Sequence, residues 1–183
     1  MIILCSKSPR RIELLKSIYP NFLIIPSNID EYAYSEDKIS LEKAKAICNT
    51  YPNDIIISAD TLVKMDDVVF GKPKSKEEAY AMLKKLYNKE HLVTTYYSIV
   101  LVSKNIYFTN FVESKVFFND LSDETIFQYI ETGSPFDKAG GYGIQDKSFN
   151  LINRIEGSYT NIVGLPIDEL KKDLIKLGLL AQK

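Results

Sequence analysis

Apolar residues along the chain keep two rhythms, and the switches between them lay out an alternation of strands and helices. The short run IILC (2–5) and the β-branched run DIIISAD (54–60) read as buried strands, with FLIIP (22–26) as a further strand. DIIISAD stops in an acid, as buried strands do at the rim of a sheet, which puts Asp60 and Thr61 at its carboxyl end. Helical spacing with mixed charge marks ISLEKAKAICNTY (39–51) and KEEAYAMLKKLY (76–87). Ser8 is placed to cap a helix whose first residue is Pro9, where a missing N–H costs nothing. Ser75 and Glu78 spell a capping box. TLVKMDDVVFGKP predicts a hairpin turning at Asp66-Asp67, and two long β-rich stretches, 92–103 and 106–118, meet at Lys104-Asn105. Ser122 opens another helix that Gly133 closes, a strand is expected near 149–156, and a last helix follows Pro166. The segment 133–146, GSPFDKAGGYGIQD, holds too much glycine for regular structure. Long strands adjacent in the middle of such an alternation predict a mixed α/β sheet, not a purely parallel one.

Composition narrows the classes. With 183 residues, 45% of them hydrophobic, the chain suffices for one substantial core, so residues 1–183 are expected to form a single domain, with room for two lobes. A net charge of -1, from 23 basic and 24 acidic residues, supplies no global field for grasping nucleic acid. The apolar start of MIILCSKSPRR is too short for a signal peptide, and no stretch approaches the roughly 20 apolar residues of a membrane helix. A cytoplasmic protein without membrane partners is therefore expected. Cys5 and Cys48 lie far apart without metal-ligand spacing, and both read as small core residues.

Positive charge, where it matters, must be local. In LCSKSPRR (4–11) a strand runs through a Ser-rich turn into a helix N-terminus, which offers free N–H groups and the positive end of the helix dipole to an anion. Arg10 and Arg11 oppose that dipole in the first turn, and a polyphosphate would relieve the conflict; the plain alternative is a capped helix with two solvated arginines. Asp60, beyond a strand end, can hold a cation or take a proton from water, though acids there are often turn residues. Lys72 is pinned between Gly71 and Pro73, and Lys138 lies beside two glycines that permit close backbone approach. Gln145 closes that loop with an amide able to read a base edge. His91, the single histidine, reads as a structural hydrogen-bonding residue at a strand start.

Taken together, LCSKSPRRIELL, SADTLV, GKP followed by EEAYAML, DKAGGYGIQ and GSYTNIVGLP closely resemble the Maf-type nucleoside triphosphate pyrophosphatases, in order and over nearly the whole chain. The resemblance implies an inosine-triphosphatase-like fold of the Maf/Ham superfamily, a mixed β-sheet in two lobes with a central cleft, and a homodimer. It implies hydrolysis of a nucleoside triphosphate to monophosphate and pyrophosphate with Mg²⁺ or Mn²⁺. It carries the proton-accepting aspartate onto Asp60, which is also the candidate metal ligand, and the phosphate-binding groups onto Ser8, Arg11, Lys43 and Lys72. A further acid falls on Asp30 or Glu31, with Glu31 and Lys138 as additional candidates. The chain departs from the pattern in a short stretch between Glu31 and Lys43, in Cys5 where a small alanine is usual, and in Asp146 where glycine is common.

Within that family, the branch acting on dTTP and UTP is marked by an arginine after the SP pair, a threonine after the catalytic aspartate and a glutamine ending the Gly-rich loop. Arg10, Thr61 and Gln145 stand at those places, so the resemblance implies dTTP and UTP as substrates. The alternatives are a pyrophosphatase for 7-methyl-GTP or other modified nucleotides, a nucleotide-binding regulator of septum formation, and a nucleic-acid-binding module.

Overall fold

The computed structural model describes residues 1–182 as two compact units, each assembled from separate stretches of chain. Among the described residues, the first unit comprises Met1–Asp60, Thr95–Val112 and 164–182; the second comprises Thr61–Thr94 and Glu113–Val163. Seven strands are hydrogen-bonded in the order β2-β1-β3-β5-β6-β7, with β4 paired to β3: β1 Ile2–Leu4, β2 Phe22–Ile24, β3 Ile55–Met65, β4 Val68–Phe70, β5 Glu90–Leu101, β6 Ile106–Phe118 and β7 Ile152–Glu156. β1 runs parallel to β2 and β3, whereas β3–β4 and β6–β7 are antiparallel, so the sheet is mixed as expected.

In the first unit, strand alternation explains why residues 2–5 are all apolar. Ile2 and Leu4 join a core with Ile57, Ala59, Tyr97 and Ile99, while Ile3 and Cys5 join another with Ile56 and Val100. Successive side chains point to opposite faces, and each face is covered by helices. α1 (Pro9–Lys16) sends Leu15 to the first core, as α6 (Ile167–Lys176) sends Leu170 and Leu174. α2 (Ile39–Cys48) sends Ala44 and Cys48 to the second, which accounts for both cysteines as buried core residues. β2 is a three-residue strand at the end of the sheet order, and its Leu23 and Ile24 are exposed.

The second unit has its own core. α3 (Lys76–Leu86) contributes Ala79, Leu83 and Leu86, and α4 (Asp123–Glu131) contributes Ile126, Tyr129 and Ile130. These follow one-face helical spacing, and truncating a fully buried leucine such as Leu83 to alanine would cost about 2–5 kcal/mol. Ser75 caps α3 by accepting from Glu78 N–H at 3.1 Å; Glu78 returns a bond to the N–H of Lys74, one residue before the cap. The β3–β4 turn is Asp66-Asp67 as expected, both in the left-handed region that two-residue hairpins require. Asn110 meets Tyr97 and Thr109 meets Ser98, so β5 and β6 run in opposite senses around Asn105.

Five elements depart from the expected layout. β3 does not end at Asp60 but runs on to Met65. What ends near Asp60 is its parallel partner: the β1 register stops at Leu4 with Ile57, which leaves Asp60 beyond that pairing on a continuing strand. α2 stops at Cys48, short of residue 51. A short helix, α5 (Tyr159–Val163), and 3₁₀ turns at Glu31–Ala33 and Glu36–Lys38 carry no periodicity long enough to have been anticipated.

Candidate active site

In the first unit one ammonium gathers the charges. Lys43 Nζ sits 2.9 Å from Glu31 Oε1 and 3.8 Å from Asp60 Oδ1, and it donates to the Ala59 carbonyl at 3.2 Å. Lys43 and Asp60 side chains are only 14% and 13% exposed, against 49% for Glu31, so the first pair is largely withdrawn from water and the last acid is open to it. The elements explain the meeting. Lys43 lies one turn into α2, whose start is stitched to β3 by Ser58 Oγ donating to the Ser40 carbonyl. A second stitch is the buried Ser40–Ser98 hydroxyl pair at 2.8 Å. Cys5 Sγ donates weakly to the Lys43 carbonyl at 3.5 Å, which gives the departure at that position a supporting contact. Burial pushes the Cys5 thiol pKa up, against the lowering effects of Ser27 and Lys43, so this thiol is a packing group and not a nucleophile.

The same unit divides the two acids left open by the sequence. Asp30 caps the 3₁₀ turn by accepting from Tyr32 N–H at 3.1 Å, while Glu31 turns to Lys43. Ser8 is the N-cap of α1 and accepts from Arg11 N–H at 3.3 Å. Arg10 and Arg11 follow in the first turn, both half-buried. Arg11 Nε donates to the Gly164 carbonyl at 2.8 Å, which directs the guanidinium. Burial lowers the Arg11 pKa, while the charges of Asp60 and Glu31 raise it and Arg10 lowers it further. Two cations thus share two carboxylates, an arrangement in which an added polyanion would find partly desolvated positive charge.

The second unit holds the remaining candidates. Thr61 follows Asp60 on β3 and is half-buried. Lys72 is exposed in the loop between β4 and α3, and that loop is joined to the Gly-rich segment by Gly140 N–H donating to the Gly71 carbonyl at 3.1 Å. Gly140 has φ 73°, and a Cβ there would lie 3.0 Å from Val63, so only glycine lets the backbone come this close. Lys138 is engaged within its own loop: its ammonium donates to the Ser134 carbonyl at 2.8 Å, Ser134 Oγ at 3.0 Å and Asp137 Oδ1 at 2.8 Å. Gln145 lies exposed in a turn closed by Asp146 N–H donating to the Gly143 carbonyl at 3.1 Å.

His91 is buried in this unit, sharing a 2.5 Å hydrogen bond with Tyr142 Oη and packing edge-on against Phe118. Its Nδ1 is buried without a hydrogen-bond partner, and desolvation lowers its pKa to about 4, so it is neutral and structural at pH 7. Two contributors went unnoticed in the sequence: Gly164, whose carbonyl directs Arg11, and Asn161, which donates to the Val93 carbonyl at 3.0 Å and Ser114 Oγ at 2.9 Å. Both lie in GSYTNIVGLP, where the concentration of polar residues before a buried apolar end was the available signal.

Comparison with known proteins shows the family and the fold. The family model described as Maf-like protein matches residues 1–177. Proteins named dTTP/UTP pyrophosphatase are similar along most of their length. The one from Geobacillus sp. (strain WCH70) is 44% identical over 97% of this chain and 98% of its own. The one from Thermosipho africanus (strain TCF52B) is 46% identical over 92% and 89%. The solved structure of the Staphylococcus aureus Ham1 protein has the same fold, with a TM-score of 0.57 and 14% identity over 96% of this chain and 98% of that one.

Proposed function

From the premise that this chain belongs to the Maf family, we propose that it is a pyrophosphatase that hydrolyses dTTP and UTP to the nucleoside monophosphate and pyrophosphate. The observation that carries the reading is the Lys43 ammonium held between Glu31 and Asp60 in the same unit as half-buried Arg11. Cleavage at the α-phosphorus requires neutralised triphosphate charge, a positioned water and a proton acceptor. Arg11 and Lys43 supply the first, with Lys72 and the Ser8 turn as further phosphate partners. Asp60 accepts the proton as a water oxygen bonds to the α-phosphorus and the bond to the bridging oxygen breaks, so that pyrophosphate leaves with the electron pair. Lys43 Nζ lies 3.8 Å from Asp60 Oδ1, so the proton-accepting carboxylate stands beside the phosphate-binding cation.

Asp60 and Glu31 are two hard oxygen donors meeting on one ammonium, a set that suits Mg²⁺ or Mn²⁺, which are held by one or two carboxylates together with waters and phosphate. Asp60 would hold the ion, with Glu31 second, and the ion when bound would draw charge from the phosphate oxygens. Arg10, Thr61 and Gln145 are proposed to set the preference for uracil and thymine, whose carbonyl and imide N–H an amide can pair together. A cytoplasmic homodimer belongs to the same proposal; no helix among the described residues is long and apolar enough to cross a membrane.

Hydrolysis of dTTP in ¹⁸O-labelled water tests the reaction. Label in dTMP, with unlabelled pyrophosphate, is the expected result. Label in pyrophosphate, or release of orthophosphate as the primary product, would place the attack elsewhere and refute it.

A further inference from the structure

The Gly-rich loop of the second unit is locked by a carboxylate at the position where glycine was expected. Asp146 Oδ2 accepts from two hydroxyls, Tyr129 Oη at 2.6 Å and Ser134 Oγ at 2.7 Å. The Tyr129 oxygen accepts in turn from Gly143 N–H at 2.9 Å, so one buried hydroxyl ties the first and last residues of the 143–146 turn. The Gly143 carbonyl and Asp146 N–H close that turn from the other side at 3.1 Å. Lys138 continues the chain of contacts through Ser134 and lays its stem over the loop backbone. A Cβ on Gly143 would lie 2.8 Å from Lys138 Cε and 3.0 Å from Asp146 Oδ2. The donors are fixed independently, since Tyr129 is fully buried on α4 and its ring packs edge-on against Phe149.

Gln145 is a central residue of that turn. We propose that Asp146 is a positioning residue for Gln145, holding its backbone so that the amide is presented to a base from one fixed place; the inference rests on the dTTP/UTP reading and deepens it. An amide presents a donor at one end and an acceptor at the other, and discrimination between bases depends on which end is offered. Uracil and thymine pair a carbonyl with an imide N–H, whereas cytosine replaces these by an amino group and a bare ring nitrogen. A turn fixed at both ends places the amide within pairing reach of the carbonyl and the imide N–H. A turn that swivels loses that pair for dTTP, whereas dCTP, in which both groups are replaced, has less to lose. Lys138 belongs to this lock, since its ammonium is already engaged with Ser134 and Asp137.

The test uses Asp146→Ala, Asp146→Asn and Tyr129→Phe in the full chain, with kcat and KM measured separately for dTTP and dCTP. Asp146→Ala is expected to lower the dTTP-to-dCTP ratio of kcat/KM about tenfold, the scale of losing a hydrogen bond to a charged acceptor. The change should lie in KM for dTTP with kcat nearly kept. Asp146→Asn, which retains an acceptor oxygen, should recover most of the preference, and Tyr129→Phe should shift it in the same direction as alanine. An unchanged ratio, or an equal loss for both nucleotides carried by kcat, would overturn the inference. Hydrogen–deuterium exchange at 143–146 reads the lock without substrate: faster exchange is expected in Asp146→Ala, and unchanged exchange would overturn it. Wild-type protein inactive on dTTP would instead remove the functional reading, while the exchange result still decides whether Asp146 holds the turn.

Discussion

Lys43 and Lys138 are both partly buried lysines, and they are used in opposite ways. Lys43 collects its partners across the sequence, Glu31 from a 3₁₀ turn and Asp60 and Ala59 from β3, with the longest of these contacts at 3.8 Å. Lys138 takes Ser134 and Asp137 from its own loop, all within 3.0 Å. A short local set of charge-assisted bonds fixes a backbone, while a longer-range set with opposed charges leaves room for a competing anion. Lys138 thus bonds within its own loop, whereas Lys43 joins residues brought from other elements.

The strongest way to break this contrast is at Asp60. Asp60→Asn should keep fold and nucleotide binding yet lose about 10²- to 10⁴-fold in turnover, the range general-base removal gives. Steady-state kinetics with a circular dichroism control decides it, and near-normal turnover would remove Asp60 from the chemistry. The next effect belongs to the second unit and to stability. His91 has a folded pKa of about 4 against an ordinary 6.5, so the unfolded chain takes the proton first as pH falls. The stabilisation is complete above pH 6.5 and is lost as pH drops towards 4, by up to about 3 kcal/mol. Urea unfolding across that window should show the decline, and His91→Gln should flatten the part of it that carboxylates do not cause. A smaller change is expected from Lys72→Ala, a loss of about tenfold in kcat/KM for dTTP, as for one charged phosphate contact. The smallest sharpens only the helix: Ser75→Ala removes the α3 cap and should cost about 1 kcal/mol by thermal unfolding, with substrate preference unchanged.

Much of the frame was legible because its signals are local. Ser8, Ser75 and Ser122 each cap the helix they announced, and the Asp66-Asp67 turn follows from the adjacent acids between apolar runs. Asp60 shows where local reading misleads: the acid marks the place where β3 loses β1, and the strand itself continues because its later apolar residues enter the core of the second unit. The choice between Asp30 and Glu31 was illegible for a different reason. It depends on the path of the chain from the 3₁₀ turn to α2, which no periodicity encodes. Asp146 was visible only as a departure from a pattern, since its partners Tyr129 and Ser134 lie 17 and 12 residues away.

The central claim is that this site hydrolyses pyrimidine nucleoside triphosphates, and a competition assay tests it most directly. Purified protein with Mg²⁺ or Mn²⁺ is offered dTTP, UTP, ATP, GTP and 7-methyl-GTP at equal concentration, and pyrophosphate and each monophosphate are quantified together. dTMP and UMP formed ahead of all others, with matching pyrophosphate that disappears in Asp60→Asn, is the result predicted here. Faster hydrolysis of 7-methyl-GTP than of either pyrimidine nucleotide would contradict it.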